Sequence, residues 1–212
     1  MNPPLLPTAF ARLSPNPAES LAARLRERMH TPPRFYHTVT HIEAVVACVW
    51  EWTHGEPSAP LLAAALYHDA VYDARRTDNE ALSATFCRDE WASVGANPAD
   101  IAEAERLILA TAHGSAAPQT PDETLLLDAD LYVLGGSPGE YADYVHGVRA
   151  EYAHVPEPAW VAGRGRVLTT FLSRPRIFLG DWHGVSEREA AARVNLQAEH
   201  ETLAGFAPAK TE

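Results

Sequence analysis

The chain has 212 residues, of which 46% are hydrophobic and 21% are charged, and this composition excludes disorder of the whole chain. Its net charge of −11 at pH 7 disfavours nucleic acid or a membrane surface as a partner, because both are bound through lysine and arginine. No uncharged segment approaches the roughly 20 residues of a membrane span, and the N-terminus lacks the basic start of a secretory signal.

The two cysteines, Cys48 and Cys87, lie in apolar stretches without a CxxC motif. This pattern predicts two reduced thiols in a core rather than a disulfide framework. Because reduced thiols are typical of the cytosol, we expect a cytoplasmic protein. The oligomeric state stays open, and a homo-oligomer is among the arrangements that the sequence allows.

Proline and polar residues at both ends of the chain predict two flexible tails, over residues 1–17 and 206–212. Between them, over residues 18–205, neither a repeat nor a long linker interrupts the sequence. We therefore expect one helical domain between the two tails.

Helix-start signals recur along this domain. In a capping box, a Ser or Thr and a Glu three residues later each cover a free backbone N–H at the start of a helix. Five pairs fit: Thr40/Glu43, Thr77/Glu80, Thr120/Glu123, Ser137/Glu140 and Ser186/Glu189. Apolar residues follow with the helical period, and strand alternation is absent. The predicted fold is an all-α, single compact bundle of eight or nine helices, near 19–30, 40–54, 60–72, 78–94, 98–112, 121–134, 138–153, 158–173 and 187–204.

Acidic residues interrupt the most apolar helices. The apolar segment 61–67 ends in His68 and Asp69, and the apolar segment 125–134 contains Asp130. A buried carboxylate without a partner is very unfavourable, so two central helices that each carry one indicate a shared partner. A bound cation would satisfy both carboxylates at once.

A third helix contributes His41, at the edge of its apolar stripe. The predicted metal ligands are therefore His41, His68, Asp69 and Asp130. This mixed nitrogen and oxygen set suits one divalent ion such as Mn²⁺, Fe²⁺, Co²⁺, Ni²⁺ or Mg²⁺ with positions open for water, while Zn²⁺ stays an alternative. Asp128 would point about 200° away from Asp130 at about 100° per helical residue, so we expect it to affect stability instead.

The order of these residues resembles the H…HD…D signature of the HD-domain metal-dependent phosphohydrolases. Over about residues 20–204 the chain looks like a bacterial subfamily of predicted HD phosphohydrolases, with the resemblance carried by segments 35–41, 67–73, 78–80, 108–113, 127–131 and 149–156. The resemblance implies a helical fold and an enzyme that hydrolyses a phosphoester of a small molecule through a metal-activated water. A nucleotide is the favoured small phosphorylated substrate, although the resemblance does not name it.

Under this resemblance, a carboxylate beside the metal would orient or deprotonate the water, and the candidates for this catalytic role are Asp73 and Glu80. Asp73 follows Asp69 by four residues and would share its helix face if the helix continued. Alarmone-hydrolysing relatives carry a Glu-Asp pair where this chain has Tyr72 and Asp73, which disfavours alarmone hydrolysis.

The candidate substrate-binding residues are His37, His113 and Arg149. Each has a structural alternative, namely a turn histidine, a helix C-cap and a surface ion pair. His113 is the only histidine between Asp69 and Asp130, whereas two-metal HD proteins generally place more histidines there, so we predict one metal ion per chain. Two other functions stay open: a di-iron HD-type oxygenase, and a non-catalytic helical binding module with a vestigial metal site.

Overall fold

The computed structural model describes residues 6–14, 18–30, 32–112 and 117–205, and these residues form ten α-helices, one short 3₁₀ helix and no strand. The helices are α1 Leu6–Leu13, α2 Ala18–Met29, α3 Val39–Trp52, α4 Ala59–Tyr67, α5 Asn79–Ser93, α6 Pro98–Ala110, α7 Pro121–Asp130, α8 Pro138–Glu151, α9 Glu157–Ser173 and α10 Val185–Ala204. The predicted all-α fold is confirmed. Within the described residues, no helix combines the length and the apolar character needed to cross a membrane.

The chain forms two compact units, Met1–Asp130 and Leu131–Glu212. The N-terminal unit contains α1 to α7, and the C-terminal unit contains the 3₁₀ helix Leu131–Gly135 and α8 to α10. The prediction of a single domain over residues 18–205 stays a prediction.

Helix α4 lies at the centre of the N-terminal unit. Its residues from Leu61 to Tyr67 are all buried, as expected for a helix that is apolar on every side. It packs against α1, α3, α5, α6 and α7. Both cysteines belong to this unit and are buried as free thiols.

Helix α1 is a correction to the predicted N-terminal tail. Leu6, Ala9 and Phe10 are fully buried on one face of α1, and the Phe10 ring meets the Tyr67 ring edge-on at 5.6 Å between centroids. Pro7 lies in the first turn, where its missing N–H removes no helical hydrogen bond, so this proline does not exclude a helix. The remaining parts of the predicted tails, 1–5, 15–17 and 206–212, lie outside the described residues.

Helix α4 ends at Tyr67, whereas the sequence predicts a helix as far as residue 72. Two side chains of α5 explain the difference. Ser83 exchanges hydrogen bonds with the N–H and C=O of Val71, and Asn79 does the same with the N–H and C=O of Asp73. Because these main-chain groups find partners on α5, the segment leaves the helix and forms a loop over residues 68–78.

In the C-terminal unit, α10 packs closely against the 3₁₀ helix. A Cβ atom on Gly135 would come within 2.5 Å of the Arg188 carbonyl oxygen, so this contact requires glycine. Asn195 donates hydrogen bonds to the carbonyl oxygens of Leu134 and Gly136, both at 2.9 Å.

A buried ion pair joins α9 to α10 in the same unit. Arg164 binds both carboxylate oxygens of Glu199, at 2.8 and 2.9 Å. Its guanidinium also donates to the Tyr144 hydroxyl, and the Tyr141 hydroxyl donates to Glu199. These bonds satisfy charges that would otherwise be costly to bury.

Candidate metal centre

Side chains from three parts of the N-terminal unit meet at one point, which we call the His/Asp cluster. Its members are His41, His68, Asp69 and Asp130. Each offers one ligand atom, and these four atoms all lie within 4.8 Å of one another. These are the four residues that the sequence predicts as metal ligands. Asp128 is buried, but it is not a member of the cluster.

Each member is placed by a helix end. His41 lies in the first turn of α3, and Asp130 is the last residue of α7. His68 is the C-cap of α4, and Asp69 follows it in the loop. The helix bodies pack side by side, and the chain changes direction at the helix ends. Side chains at the ends of neighbouring helices can therefore meet in one cluster.

The separations within the cluster match one metal ion. Nε2 of His41 lies 3.1 Å from Nε2 of His68 and 3.1 Å from Oδ1 of Asp130. Oδ2 of Asp69 lies 3.4 Å from Nε2 of each histidine, and Oδ1 of Asp130 lies 3.6 Å from Nε2 of His68. Two ligands that each bind an ion at about 2.1 Å are about 3.0 Å apart at a right angle and about 3.4 Å apart at the tetrahedral angle. One ion could therefore contact all four atoms after small adjustments.

A hydrogen bond determines which nitrogen of His68 faces the cluster as a ligand. Nδ1 of His68 lies 3.1 Å from the carbonyl oxygen of Ala65. A carbonyl oxygen only accepts, so Nδ1 carries a proton and donates it, which leaves the lone pair of a neutral imidazole on Nε2. Metal-binding histidines are commonly oriented by such a bond to the other ring nitrogen.

The electrostatics of the cluster favour positive charge. Burial lowers the pKa of His41, but hydrogen bonds to Asp130 and Asp69 outweigh burial and raise this pKa to about 9. Burial raises the pKa of Asp69, but electrostatic interactions with His68 and His37 and the hydrogen bond with His41 hold this pKa far below its usual range. The largely buried Asp69 carboxylate thus retains its negative charge, which favours the binding of a divalent cation.

Arg34 contacts the main chain on two sides of the cluster. Its Nη1 donates to the carbonyl oxygen of Asp69 at 2.5 Å and to that of His37 at 3.2 Å, and its Nη2 donates to that of Ala70 at 2.9 Å. Sequence reasoning missed Arg34, as it missed Asn79 and Ser83. All three act on main-chain atoms, which leave no pattern of partner residues in a sequence.

Aromatic rings surround the cluster on the side of His37. The His37 ring stacks on the Tyr72 ring at 3.7 Å, and its centroid lies 5.9 Å from that of His41. Tyr36 contacts both histidines, with its ring centroid 4.9 Å from each of theirs. The structure therefore places the predicted substrate residue His37 beside the cluster. Phe35, which precedes Tyr36 in the sequence, is 60% exposed.

The two candidate general bases follow Asp69 in the chain, Asp73 within the loop and Glu80 in α5. Oδ1 of Asp73 accepts a hydrogen bond from the N–H of Arg75 at 2.9 Å, within a turn. Because α4 ends at residue 67, the predicted shared helix face of Asp69 and Asp73 is wrong. Glu80 is half-buried in the first turn of α5. The catalytic role of either carboxylate stays a prediction.

Of the other two predicted substrate residues, the structure describes Arg149. Arg149 lies in the C-terminal unit, where it donates to the carbonyl oxygen of Tyr152 and pairs with Glu157, both at 2.8 Å. The structural alternative, an ion pair with a neighbouring acid, is thus present, and phosphate binding by Arg149 stays a prediction. His113 lies outside the described residues.

Comparison of the chain with protein-family models, with curated proteins and with solved structures finds no match in any of the three. The function is therefore inferred from the described residues themselves. They form a helical protein in which a His/Asp cluster could hold a metal ion.

Proposed function

We propose that the protein is a cytoplasmic metal-dependent phosphohydrolase of the HD type, which cleaves a phosphoester of a small molecule. The observation that carries this proposal is the spacing of the His/Asp cluster, whose ligand atoms are separated as they would be around one ion. Four protein ligands leave open positions on an ion that prefers six, and these positions are available to water and substrate.

Phosphoester hydrolysis suits such a site. A divalent ion held there would supply a nucleophilic water at neutral pH and neutralise charge on the phosphoryl oxygens. Asp73 and Glu80 are the residues that we propose for orienting this water or accepting its proton. His37 is the candidate that we favour for phosphate, since its ring lies beside the cluster, 5.9 Å from that of His41 between centroids. His113 and Arg149 remain further candidates for phosphate binding.

A nucleotide is the substrate that we favour. Its phosphate would lie at the cluster, and its planar base would find aromatic rings next to it, on which bases stack readily. Tyr36 and Tyr72 contact the histidines of this region, and the exposed Phe35 precedes Tyr36 in the sequence.

The test combines metal analysis with a screen for phosphate release. Protein purified without chelator is expected to contain about one divalent metal ion per chain, with Mn, Fe, Co, Ni, Mg and Zn measured together. The metal-loaded protein should then release phosphate from one or more members of a panel of nucleotides and phosphorylated metabolites. Asp69→Asn should abolish both properties, and Asp128→Asn, which alters a buried acid outside the cluster, should retain both.

Other outcomes would replace the proposal. Two iron ions per chain together with oxygen consumption would indicate a di-iron oxygenase instead. One bound metal ion without phosphate release from any compound would contradict the hydrolase and favour a binding module with a vestigial site. A chain that binds no metal would contradict the site itself.

A further inference from the structure

We propose that Arg34 is a positioning residue that sets the distance between the two halves of the His/Asp cluster. One half is the segment before α3, which leads into His41, and the other is the turn after α4, which carries His68 and Asp69. This inference rests on the proposed function, because it assumes that the cluster binds a metal ion.

The hydrogen bonds of Arg34 join these two halves directly. Nη1 of Arg34 binds the carbonyl oxygens of His37 and Asp69, so a single nitrogen bridges the two segments. Nη2 binds the carbonyl oxygen of Ala70 and thereby fixes the orientation of the turn. A movement of either segment would break at least one of the three bonds.

The end of α4 explains why the turn needs such a residue. The last carbonyl groups of a helix and those just after it lack intrahelical donors. In this turn the carbonyl oxygen of Tyr67 accepts from the N–H of Ala70, while the carbonyl oxygens of Asp69 and Ala70 accept from Arg34. The guanidinium group offers several donors in one rigid plane, which a lysine ammonium group does not.

The position of the Asp69 main chain affects the metal ligand on the same residue. A rotation of the peptide group whose oxygen binds Arg34 would move the Asp69 carboxylate relative to both histidines. Ligand distances at a metal site are tolerant to only about 0.2 Å, so a small rotation weakens binding. Loss of residues that orient metal ligands commonly reduces metal affinity by about 10- to 100-fold.

The same bonds distinguish positioning from direct contact with phosphate. Nη1 has two N–H groups, and two carbonyl oxygens occupy them. The N–H groups of Nη1 are thus engaged by the main chain, and replacement of Arg34 should alter metal binding more than the KM for a phosphorylated substrate.

The experiment compares Arg34→Ala and Arg34→Lys with the wild-type full-length chain, using Co²⁺ as the probe. Titration calorimetry measures Co²⁺ affinity, and the visible absorption of bound Co²⁺ reports ligand geometry. Arg34→Ala should bind Co²⁺ about 10- to 100-fold more weakly with a changed visible spectrum. Arg34→Lys should recover only part of the affinity. Added guanidinium ion, well below denaturing concentration, should restore the spectrum of Arg34→Ala.

The matched control is Arg76→Ala. Arg76 forms a two-bond ion pair with Asp78 at the exposed end of the loop over residues 68–78, so its loss removes an arginine from this loop without removing a bond to Asp69 or His37. This variant should keep the Co²⁺ affinity and the spectrum of the wild type.

Three results would overturn the inference. The first is a folded Arg34→Ala variant that keeps the Co²⁺ affinity and the visible spectrum of the wild type. The second applies if Arg34→Ala does not fold, and it is an Arg34→Lys variant with the affinity and spectrum of the wild type. A raised KM with unchanged Co²⁺ binding would make Arg34 a substrate ligand instead. If the wild type itself binds no Co²⁺, the proposed metal site is contradicted together with the role of Arg34. If the wild type binds Co²⁺ but releases no phosphate, the proposed hydrolase is contradicted, while Co²⁺ affinity and spectrum still test the role of Arg34.

Discussion

Single residues of the His/Asp cluster differ in what they contribute, although they lie within a few ångströms of one another. His68 is oriented by its bond to Ala65 and offers Nε2 as a neutral ligand. His41 is held by two carboxylates, which raise its pKa to about 9 against the effect of burial. A metal ion would have to displace the proton of His41, so metal and proton compete for the cluster.

The raised pKa of His41 predicts how the stability of the metal-free protein depends on pH. A group whose pKa rises on folding stabilises the folded state below its unfolded pKa, and this contribution disappears as the pH passes the folded pKa. For His41 the window runs from about 6.5 to about 9. Chelator-treated protein should therefore lose thermal stability across this window, as measured by calorimetry. His41→Gln in the same buffers should show a smaller decline, and an equal decline in both proteins would contradict the assignment.

Replacing a metal ligand should change metal binding, whereas replacing the buried Asp128 should change only stability. Asp69→Ala should lower the metal content from about one ion per chain to none and abolish activity. Asp128→Ala should keep the metal, while its unfolding free energy falls by about 1–3 kcal/mol, the usual effect on buried hydrogen-bond partners. Metal analysis and denaturant unfolding measure the two effects. If Asp128→Ala loses the metal and Asp130→Ala keeps it, the roles of the two aspartates are reversed.

The general base is open to a similar comparison. Asp73→Asn and Glu80→Gln change charge with little change in shape, so both should bind metal as the wild type does. The substitution of the true base should lower kcat by about 10²- to 10⁴-fold. Steady-state kinetics of the metal-loaded variants decide between the two residues. Unchanged kcat in both variants would exclude a base among these acids.

At the scale of secondary-structure elements, the sequence predicts where helices lie better than what ends them. All nine predicted helices occur, because the apolar residues whose spacing marks each helix also form the face that packs in the core. Of the proposed capping boxes, Ser137/Glu140 forms completely. Glu189 of the predicted Ser186/Glu189 box instead accepts hydrogen bonds from the N–H groups of Ile177 and Phe178, and a local sequence motif does not predict these distant partners. Tertiary contacts override local capping signals in such cases.

The early end of α4 has a testable cause in α5. Ser83→Ala would leave the N–H and C=O of Val71 without their partner in a buried position, at a cost of about 1–3 kcal/mol. We expect a lower melting temperature and weaker metal binding, since the loop that begins with the two cluster residues loses an anchor. The control is Ser93→Ala on the same helix. The exposed hydroxyl of Ser93 donates to the carbonyl oxygen of Glu90, and its removal should be nearly neutral. Equal effects of the two substitutions would contradict this explanation.

At the scale of the whole chain, the cluster joins residues that are far apart in sequence. The four ligands were predictable because histidine and aspartate in apolar helices need a partner, and a shared cation is the simplest one. Arg34, Asn79 and Ser83 were not predictable, because each binds main-chain atoms whose positions depend on the folded structure. The metal ligands of such a site are therefore visible in the sequence, while the residues that position them are visible only in the structure.

Because its ligands come from α3, from the turn after α4 and from α7, a bound ion should hold these elements together and stabilise the fold. A ligand that binds only the folded state adds about 2.7 kcal/mol at 100 times its Kd. At about 2–4 °C per kcal/mol for a chain of this size, saturating metal should raise Tm by about 5–10 °C. Scanning calorimetry with and without chelator measures the shift. Asp69→Asn should show no shift, whereas Asp128→Asn should start from a lower Tm and keep the full shift. A wild-type Tm that does not respond to chelator or added metal would contradict ion binding at the cluster.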